Sequence, residues 1–204
     1  MTKYSPQLKR ISSLSDIEII RELGRRANTA QIEIDRIVGF SSLRTTSLKY
    51  LLPSNREEAE AVVFNIFNRY HTSACVLKNR KHNPYVIIEE KDAQDLFEAL
   101  LREHFDEVTP EESVPTTAGG TTFIDFLLPR YQIAIEVKMG SAGNRELRKQ
   151  INDDKGCYPN HPNCKLLLVL IYDPDSKVMD PRRLEMQLSD VTDKMITKVY
   201  VRPH

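Results

Sequence analysis

The stretch from Thr121 to Met139 reads TTFIDFLLPRYQIAIEVKM, and it decides the fold that the sequence predicts. Two runs rich in β-branched and aromatic residues, Thr121 to Leu128 and Ile133 to Met139, flank the connection Pro129-Arg130-Tyr131-Gln132. Such runs joined by a few turn residues are typical of a β-hairpin. We therefore predict two neighbouring antiparallel strands in the second half of the chain.

Each predicted strand carries an acidic residue among apolar ones. Because side chains alternate across a strand, Asp125 shares a face with Phe123 and Leu127, while Glu136 and Lys138 share a face of the second strand. A carboxylate in an apolar strand is costly unless it is paired or bound to a cation. The hairpin therefore predicts a shared polar centre formed by Asp125, Glu136 and Lys138.

The local pattern leaves two interpretations of this centre open. It can hold Mg²⁺, which prefers carboxylate and backbone oxygens, with the lysine acting on a water or a phosphate. It can also be an ion pair in which Lys138 neutralises Glu136 while Asp125 caps a turn. Other Glu/Asp-x-Lys triplets begin at Glu89, Asp153 and Asp175, but they lie in polar or helical segments without a preceding acidic strand.

The rest of the second half alternates between helical and strand-like patterns. The predicted elements are a helix from Asp92 to Phe105, a turn-rich loop over 106–120, the hairpin, a helix from Arg145 to Cys157, a buried strand from Lys165 to Tyr172, a short helix near Arg182 to Leu188 and a strand from Met195 to Val201. The order α-β-β-α-β-α-β predicts an α/β fold with a mixed sheet flanked by helices.

The first half is predicted to be helical. Ser15 with Glu18, and Ser54 with Glu57, have the spacing of capping boxes, and the second predicts a helix that ends near Lys78. Asn83-Pro84 breaks the pattern. We therefore divide the chain into a helical N-terminal region, residues 1–85, for binding, dimerisation or docking, and a catalytic domain, residues 86–204.

Composition limits the class of protein. The 204 residues carry zero net charge, so there is no global electrostatic argument for a nucleic-acid partner. No apolar run is long enough to cross a membrane, and the first residues lack the apolar stretch of a signal peptide. The three cysteines favour a reducing compartment. We expect a cytoplasmic protein without a membrane partner.

A family resemblance covers more than half of the chain. The residues that carry it are Asp95-Leu96-Phe97, Leu100-Leu101, Pro110-Glu111-Glu112, Ile124 to Leu128, Ile135 to Lys138, Gln150 to Asp154, Tyr158, His161-Pro162, Cys164-Lys165 and Ile171 to Pro174. With these segments the chain from about Asp92 to Pro203 resembles the PD-(D/E)XK nucleases, especially restriction-endonuclease-like domains of the DpnII/MboI type. One departure is Ile124, where a proline often precedes the strand acid.

The resemblance implies a fold, a reaction and roles for residues. The fold is a restriction-endonuclease-like core with a central mixed sheet, and the reaction is phosphodiester hydrolysis with Mg²⁺ or Mn²⁺. By this resemblance Asp125 and Glu136 ligate the metal together with the backbone carbonyl of Val137, and Lys138 acts on water and phosphate. Gln150, on the helix after the hairpin, would support the site.

The function expected from these arguments is a metal-dependent endonuclease acting on DNA, with a role in bacterial defence or restriction suggested by the resemblance alone. Expected partners are double-stranded DNA and either a second copy of the chain or another protein of a defence complex. A module of the same fold that binds without cleaving is an alternative, and so is an RNA nuclease, because no stacking motif separates the two nucleic acids.

Several further residues are candidates for supporting roles. A third acid at the metal could come from Asp95, Glu98 or Glu112. The spacing of Cys157, His161 and Cys164 lacks the fourth ligand that structural zinc requires. Basic residues that could contact phosphates are Lys78, Arg80 and Lys81, with Arg25 and Arg26 earlier in the chain.

Overall fold

A computed structural model describes residues 52–116 and 119–204. The unit described below is Leu51–His204. The helix predicted after Ser15 and the basic residues Arg25 and Arg26 therefore lie outside the described residues.

This unit contains four helices and six strands among its described residues. The helices are α1 (Arg56–Lys78), α2 (Glu90–Arg102), α3 (Gly143–Cys157) and α4 (Pro181–Leu188). The strands are β1 (Thr109–Pro115), β2 (Thr121–Leu128), β3 (Ile133–Met139), β4 (Leu166–Tyr172), β5 (Asp190–Val191) and β6 (Ile196–Arg202). Short 3₁₀ turns cover Pro129–Tyr131, Gly140–Ala142 and Tyr158–Asn160.

The strands form one mixed sheet in the order β1-β2-β3-β4-β6-β5. The pairs β1–β2 and β2–β3 are antiparallel, whereas β3–β4 and β4–β6 are parallel and are joined through α3 and α4. Strand β3 is thus the point at which the antiparallel part of the sheet meets the parallel part. The predicted α/β architecture with a central mixed sheet and flanking helices is confirmed.

Helices cover both faces of the sheet. On one face α1 and α2 pack through residues such as Phe67 and Phe97, whose ring centroids are 5.4 Å apart, against alternate residues of β3 and β4. On the other face α3 and α4 pack through residues such as Leu147 and Leu184 against the intervening strand residues. None of the helices in the described ranges has both the length and the apolar composition needed to cross a bilayer.

Strand β4 shows why the sequence here is a continuous apolar run. All seven of its residues are buried. Leu168 and Leu170 contribute to the core under α1 and α2, while Leu167 and Val169 contribute to the core under α3 and α4. A strand buried on both faces needs apolar side chains at every position, so the predicted central strand is confirmed.

Helix α1 belongs to the same compact unit as the sheet. The hydroxyl of Tyr70 donates to the carbonyl oxygen of Ala93 on α2 at 2.7 Å, and Phe67 is fully buried. The unit therefore begins at Leu51 rather than at the predicted division between residues 85 and 86. The turn at Asn83-Pro84 is a connection within the unit, because α1 fills one face of its core.

Strand β1 lies in a segment for which we predicted only a loop. Its residues Pro110, Glu111 and Glu112 lack the apolar alternation of a half-buried strand. It is an edge strand, where proline and charged side chains are tolerated because one side of the backbone is unpaired. Glu111 has a φ of 51°, which interrupts the regular ladder opposite Asp125.

Candidate functional site

The hairpin of β2 and β3 opens at the two acidic residues. Regular pairing joins Phe126 to Ile135, Leu127 to Ala134 and Leu128 to Ile133, and it stops before Asp125. There the backbone N–H of Asp125 donates to Glu136 Oε1 at 3.0 Å, and the N–H of Val137 donates to Asp125 Oδ2 at 2.9 Å. Each carboxylate therefore binds the backbone of the opposite strand in place of the missing ladder bonds.

Lys138 completes the predicted centre. Its Nζ lies 2.6 Å from Glu136 Oε2 and 4.0 Å from Asp125 Oδ2. The side chain of Glu136 is only 1% exposed, and that of Lys138 is 12% exposed. The structure thus brings Asp125, Glu136 and Lys138 together as the alternation of the two strands predicted. The contacts themselves satisfy the ion-pair interpretation as well as the metal interpretation.

The charges of this centre do not cancel. Burial raises the pKa of Asp125 to about 8, and the neighbouring Glu136 raises it further than Lys138 lowers it. Burial lowers the pKa of Lys138, but the carboxylates of Glu136 and Asp125 outweigh this and raise it overall. The buried carboxylate of Glu136 and the carboxylate of Asp125, which is 16% exposed, thus face one ammonium group. A proton or an additional cation must compensate the remaining negative charge.

Glu90 is a member of the site that sequence reasoning missed. Its Oε2 accepts a hydrogen bond from the N–H of Met139 at 3.2 Å, and its Oε1 lies 3.7 Å from Lys138 Nζ. Glu90 starts helix α2, which packs beside the carboxyl end of β3. In the sequence it belongs to a polar Glu89-Glu90-Lys91 segment, so no local signal connects it with the hairpin.

Tyr158 supports the site from the other face of the sheet. It follows α3 directly, and its hydroxyl lies 2.6 Å from Glu136 Oε1 and 2.7 Å from the carbonyl oxygen of Phe123. Burial raises the pKa of Tyr158, and Glu136 adds to this effect, so the hydroxyl keeps its proton. It acts as a hydrogen-bond donor that holds Glu136 in place.

Gln150 and Asp154 lie on α3 before Tyr158. Gln150 Oε1 and Asp154 Oδ2 are shielded from solvent and have no hydrogen-bond partner among the described residues. The amide nitrogen of Gln150 donates to Glu146 at 3.2 Å instead of to the centre. Gln150, which the resemblance assigned to the site, makes no hydrogen bond to Asp125, Glu136 or Lys138 in this structure.

A groove of about 340 Å³ opens beside Asp125. It is lined by Lys91, Gln94, Asp95, Glu98, Pro110, Glu111, Phe123, Asp125 and Phe126. Two of the three acids considered as further metal ligands, Asp95 and Glu98, thus share this groove with Asp125, although Glu98 also pairs with Arg102 at 2.6 Å.

The third acid, Glu112, is engaged elsewhere. Its Oε1 lies 3.3 Å from His161 Nε2. Cys164 is buried and its thiol donates to the sulfur of Met195. Because His161 and Cys164 have these other partners, they do not form a common metal site with Cys157. Within the described residues no three His, Cys, Asp or Glu side chains form a group that could hold a metal ion by themselves.

The residues of the centre nevertheless fit a hard divalent cation. The carboxylates of Asp125 and Glu136 and the backbone carbonyl of Val137 are oxygen donors, which Mg²⁺ prefers, and Mg²⁺ keeps several waters as further ligands. The excess of carboxylates over ammonium groups and the unpartnered oxygens of Gln150 and Asp154 are also consistent with such a hydrated cation. Two carboxylates are therefore a sufficient protein contribution for Mg²⁺, whereas structural zinc would require four protein ligands.

The mixed sheet with helices on both faces, together with an Asp/Glu/Lys centre where β2 and β3 separate, defines a restriction-endonuclease-like domain. A family model described as REase_DpnII-MboI matches residues 61–204. The chain therefore belongs to the DpnII-MboI family of restriction endonucleases, as the sequence resemblance predicted. A search of curated proteins and a search of solved structures each found no match.

Proposed function

We propose that this protein is a divalent-metal-dependent endonuclease that hydrolyses phosphodiester bonds of DNA. The observation that carries the proposal is the charge of the centre, in which the carboxylates of Asp125 and Glu136 face the single ammonium group of Lys138. A divalent cation supplies a Lewis acid and an adjacent lysine supplies a charged donor, and both promote phosphodiester hydrolysis. Membership in a family of restriction endonucleases supports the same reaction.

In the proposed enzyme Asp125, Glu136 and the carbonyl of Val137 hold Mg²⁺ or Mn²⁺. When bound, the ion supplies a Lewis acid for the phosphate and lowers the pKa of a water molecule. Tyr158 and the backbone N–H of Asp125 fix one oxygen of Glu136, because both lie within hydrogen-bond distance of Oε1. This pre-organisation leaves little freedom for the Glu136 carboxylate to rotate away.

Lys138 acts in this proposal as a charged donor. Because the neighbouring carboxylates raise its pKa, its ammonium group keeps its proton at neutral pH. It can orient the attacking water and stabilise the charge that develops on the phosphate in the transition state. Gln150 would support the site from α3, where its Oε1 is shielded from solvent and has no partner among the described residues.

The proposed substrate is double-stranded DNA. One centre hydrolyses one strand, so a cut through both strands calls for two copies of the chain or for a partner in a defence complex. A role in bacterial defence or restriction follows from the family and belongs to the same proposal.

The test is cleavage of a supercoiled plasmid by the full chain with Mg²⁺ and with EDTA. We expect Mg²⁺-dependent nicking or linearisation, and we expect Lys138→Ala to lower the rate by about 100-fold or more, as for loss of one transition-state donor. Lys194→Ala is the matched control, because Lys194 is an exposed lysine in the turn before β6. Its rate should equal that of the wild type.

Equal cleavage by the wild type and Lys138→Ala would refute the assignment of the centre. The same series run on RNA distinguishes the two nucleic acids, since Lys138-dependent cleavage of RNA alone would replace DNA as the substrate. DNA that is retained but uncut with Mg²⁺ and with Mn²⁺ would instead identify a binding module.

A further inference from the structure

Asp154 is an acidic residue for which the proposed reaction has no role so far. It lies on α3 one turn before Tyr158, on a helix whose residues Leu147 and Ile151 are fully buried against the sheet. Its Oδ2 is shielded from solvent and has no hydrogen-bond partner among the described residues. A shielded carboxylate oxygen without a partner is costly, so it indicates a donor that arrives in another state of the protein.

The surroundings of Asp154 identify the group it can serve. Tyr158, one turn further along, contacts Glu136 at 2.6 Å, so this face of α3 is directed at the centre. The negative charge of Asp154 is among the causes that raise the pKa of Lys138, after the larger contributions of Glu136 and Asp125. Asp154 therefore lies on the face of α3 that is directed at the Glu136–Lys138 pair.

The hydrogen bonds of Lys138 depend on the state of the carboxylates of Glu136 and Asp125. An ammonium group has three donors. In this structure Nζ lies 2.6 Å from Glu136, 3.7 Å from Glu90 and 4.0 Å from Asp125. When Glu136 and Asp125 share their charge with a divalent cation, they become weaker partners for the ammonium group. Glu90 can then accept one of the three donors, and the remaining donors of a lysine that is only 12% exposed need another acceptor.

We propose that Asp154 is a positioning residue that holds the Lys138 ammonium group in place when a divalent cation occupies the Asp125–Glu136 site. The inference rests on the proposed function. It assigns the unpartnered oxygen of Asp154 to a donor of Lys138, and it explains why a further, half-buried carboxylate lies beside a centre that already has an excess of acidic groups.

The test observes the Lys138 ammonium group directly. In ¹⁵N-lysine-labelled full-length protein its ¹H–¹⁵N signal, assigned by its loss in Lys138→Ala, reports whether the group is held in hydrogen bonds that slow proton exchange. With Mg²⁺ the wild type should keep the signal. Asp154→Asn should lose it with Mg²⁺ but retain it in EDTA, where Glu136 remains the partner.

Asp153→Asn is the matched control, because Asp153 is exposed and adjacent in the same helix. It should behave as the wild type. In plasmid cleavage Asp154→Asn should lower kcat by about 10-fold or more while KM for DNA changes little, since the lysine is misplaced rather than lost. Asp154→Glu should restore part of the rate. If Asp154→Asn does not fold, Asp154→Ser serves the same test.

The inference is overturned if Asp154→Asn and Asp153→Asn give the same Lys138 signal with Mg²⁺ and the same kcat. Its failure is distinct from failure of the proposed function. A wild type that cleaves no nucleic acid refutes the nuclease proposal, whereas the ammonium signal still decides whether Asp154 holds Lys138 in the presence of Mg²⁺.

Discussion

The two halves of the β2–β3 hairpin differ in how they use the same backbone. From Phe126 to Leu128 the strands form a regular ladder with Ile133 to Ile135, and every one of these side chains is buried. One residue further on the ladder ends, and the carboxylates of Asp125 and Glu136 bind the free N–H groups. The first half stabilises the protein. The second half destabilises it, because it holds two acids largely away from water.

This difference shows how one hairpin can be both core and site. The regular half fixes the register, so the acids on the two strands must face each other. In the open half the ladder is absent, so one oxygen of each carboxylate binds the backbone of the opposite strand, and Glu136 Oε2 pairs with Lys138 Nζ. Substitutions in the two halves should therefore change stability in opposite directions, and they provide tests of the comparison.

The largest effect on stability is expected in the regular half. Ile135→Ala removes a fully buried side chain from the core beneath α1 and α2 and should lower the free energy of unfolding by about 2–5 kcal/mol. Urea denaturation without metal measures this loss. Below the unfolding transition the Mg²⁺-dependent rate should change little, so a loss of rate without a loss of stability would contradict the division of the hairpin.

The open half should instead lower the free energy of unfolding, and the pH dependence of stability should reveal this effect. The pKa of Asp125 is about 8 in the folded protein against an ordinary value of 3.8, so between these values the folded state binds one proton more than the unfolded state. Stability without metal should therefore fall as pH rises from about 4 to about 8, by at most about 1.4 kcal/mol per pH unit from this residue. Burial also raises the pKa of Asp154 to about 7, which adds a contribution of the same sign.

Asp125→Asn isolates the contribution of Asp125. In EDTA the variant should be more stable than the wild type at pH 8, and the difference should shrink toward pH 5, where the wild-type carboxyl is protonated. Thermal melts at both pH values measure it, and titrations common to both proteins cancel in the comparison. Mg²⁺ should stabilise the wild type increasingly with pH and leave Asp125→Asn unaffected, because protons compete with the cation at this carboxylate.

Much of the fold could be predicted because the relevant signals are local. The hairpin and the buried strand β4 follow from runs of apolar residues with their turn residues, and α3 follows from the spacing of Leu147 and Ile151. The alternation of side chains was sufficient to place Asp125, Glu136 and Lys138 together. These predictions depend on neighbours within a strand or between two adjacent strands.

The remainder depends on contacts that no local pattern encodes. Strand β1 could not be recognised, because its place at the sheet edge removes the need for apolar alternation. Glu90 reaches Met139 from 49 residues away in the chain, and its own segment is polar. The compact unit that contains α1 begins at Leu51, and the core contributed by α1 is visible only in three dimensions.

The smallest expected change in stability comes from removing a single hydroxyl group, that of Tyr158, beside the open half of the hairpin. Tyr158→Phe removes the donor at 2.6 Å from Glu136, and since the acceptor is charged the loss should be about 1.5–3 kcal/mol of unfolding free energy in EDTA. Tyr131→Phe is the matched control, because its hydroxyl donates at 2.8 Å to the neutral carbonyl of Pro53, and it should cost about 0.5–1.5 kcal/mol. Equal losses in urea denaturation would mean that Glu136 is not held as a charged group by Tyr158, and the open half of the hairpin would then be less strictly organised than its geometry indicates.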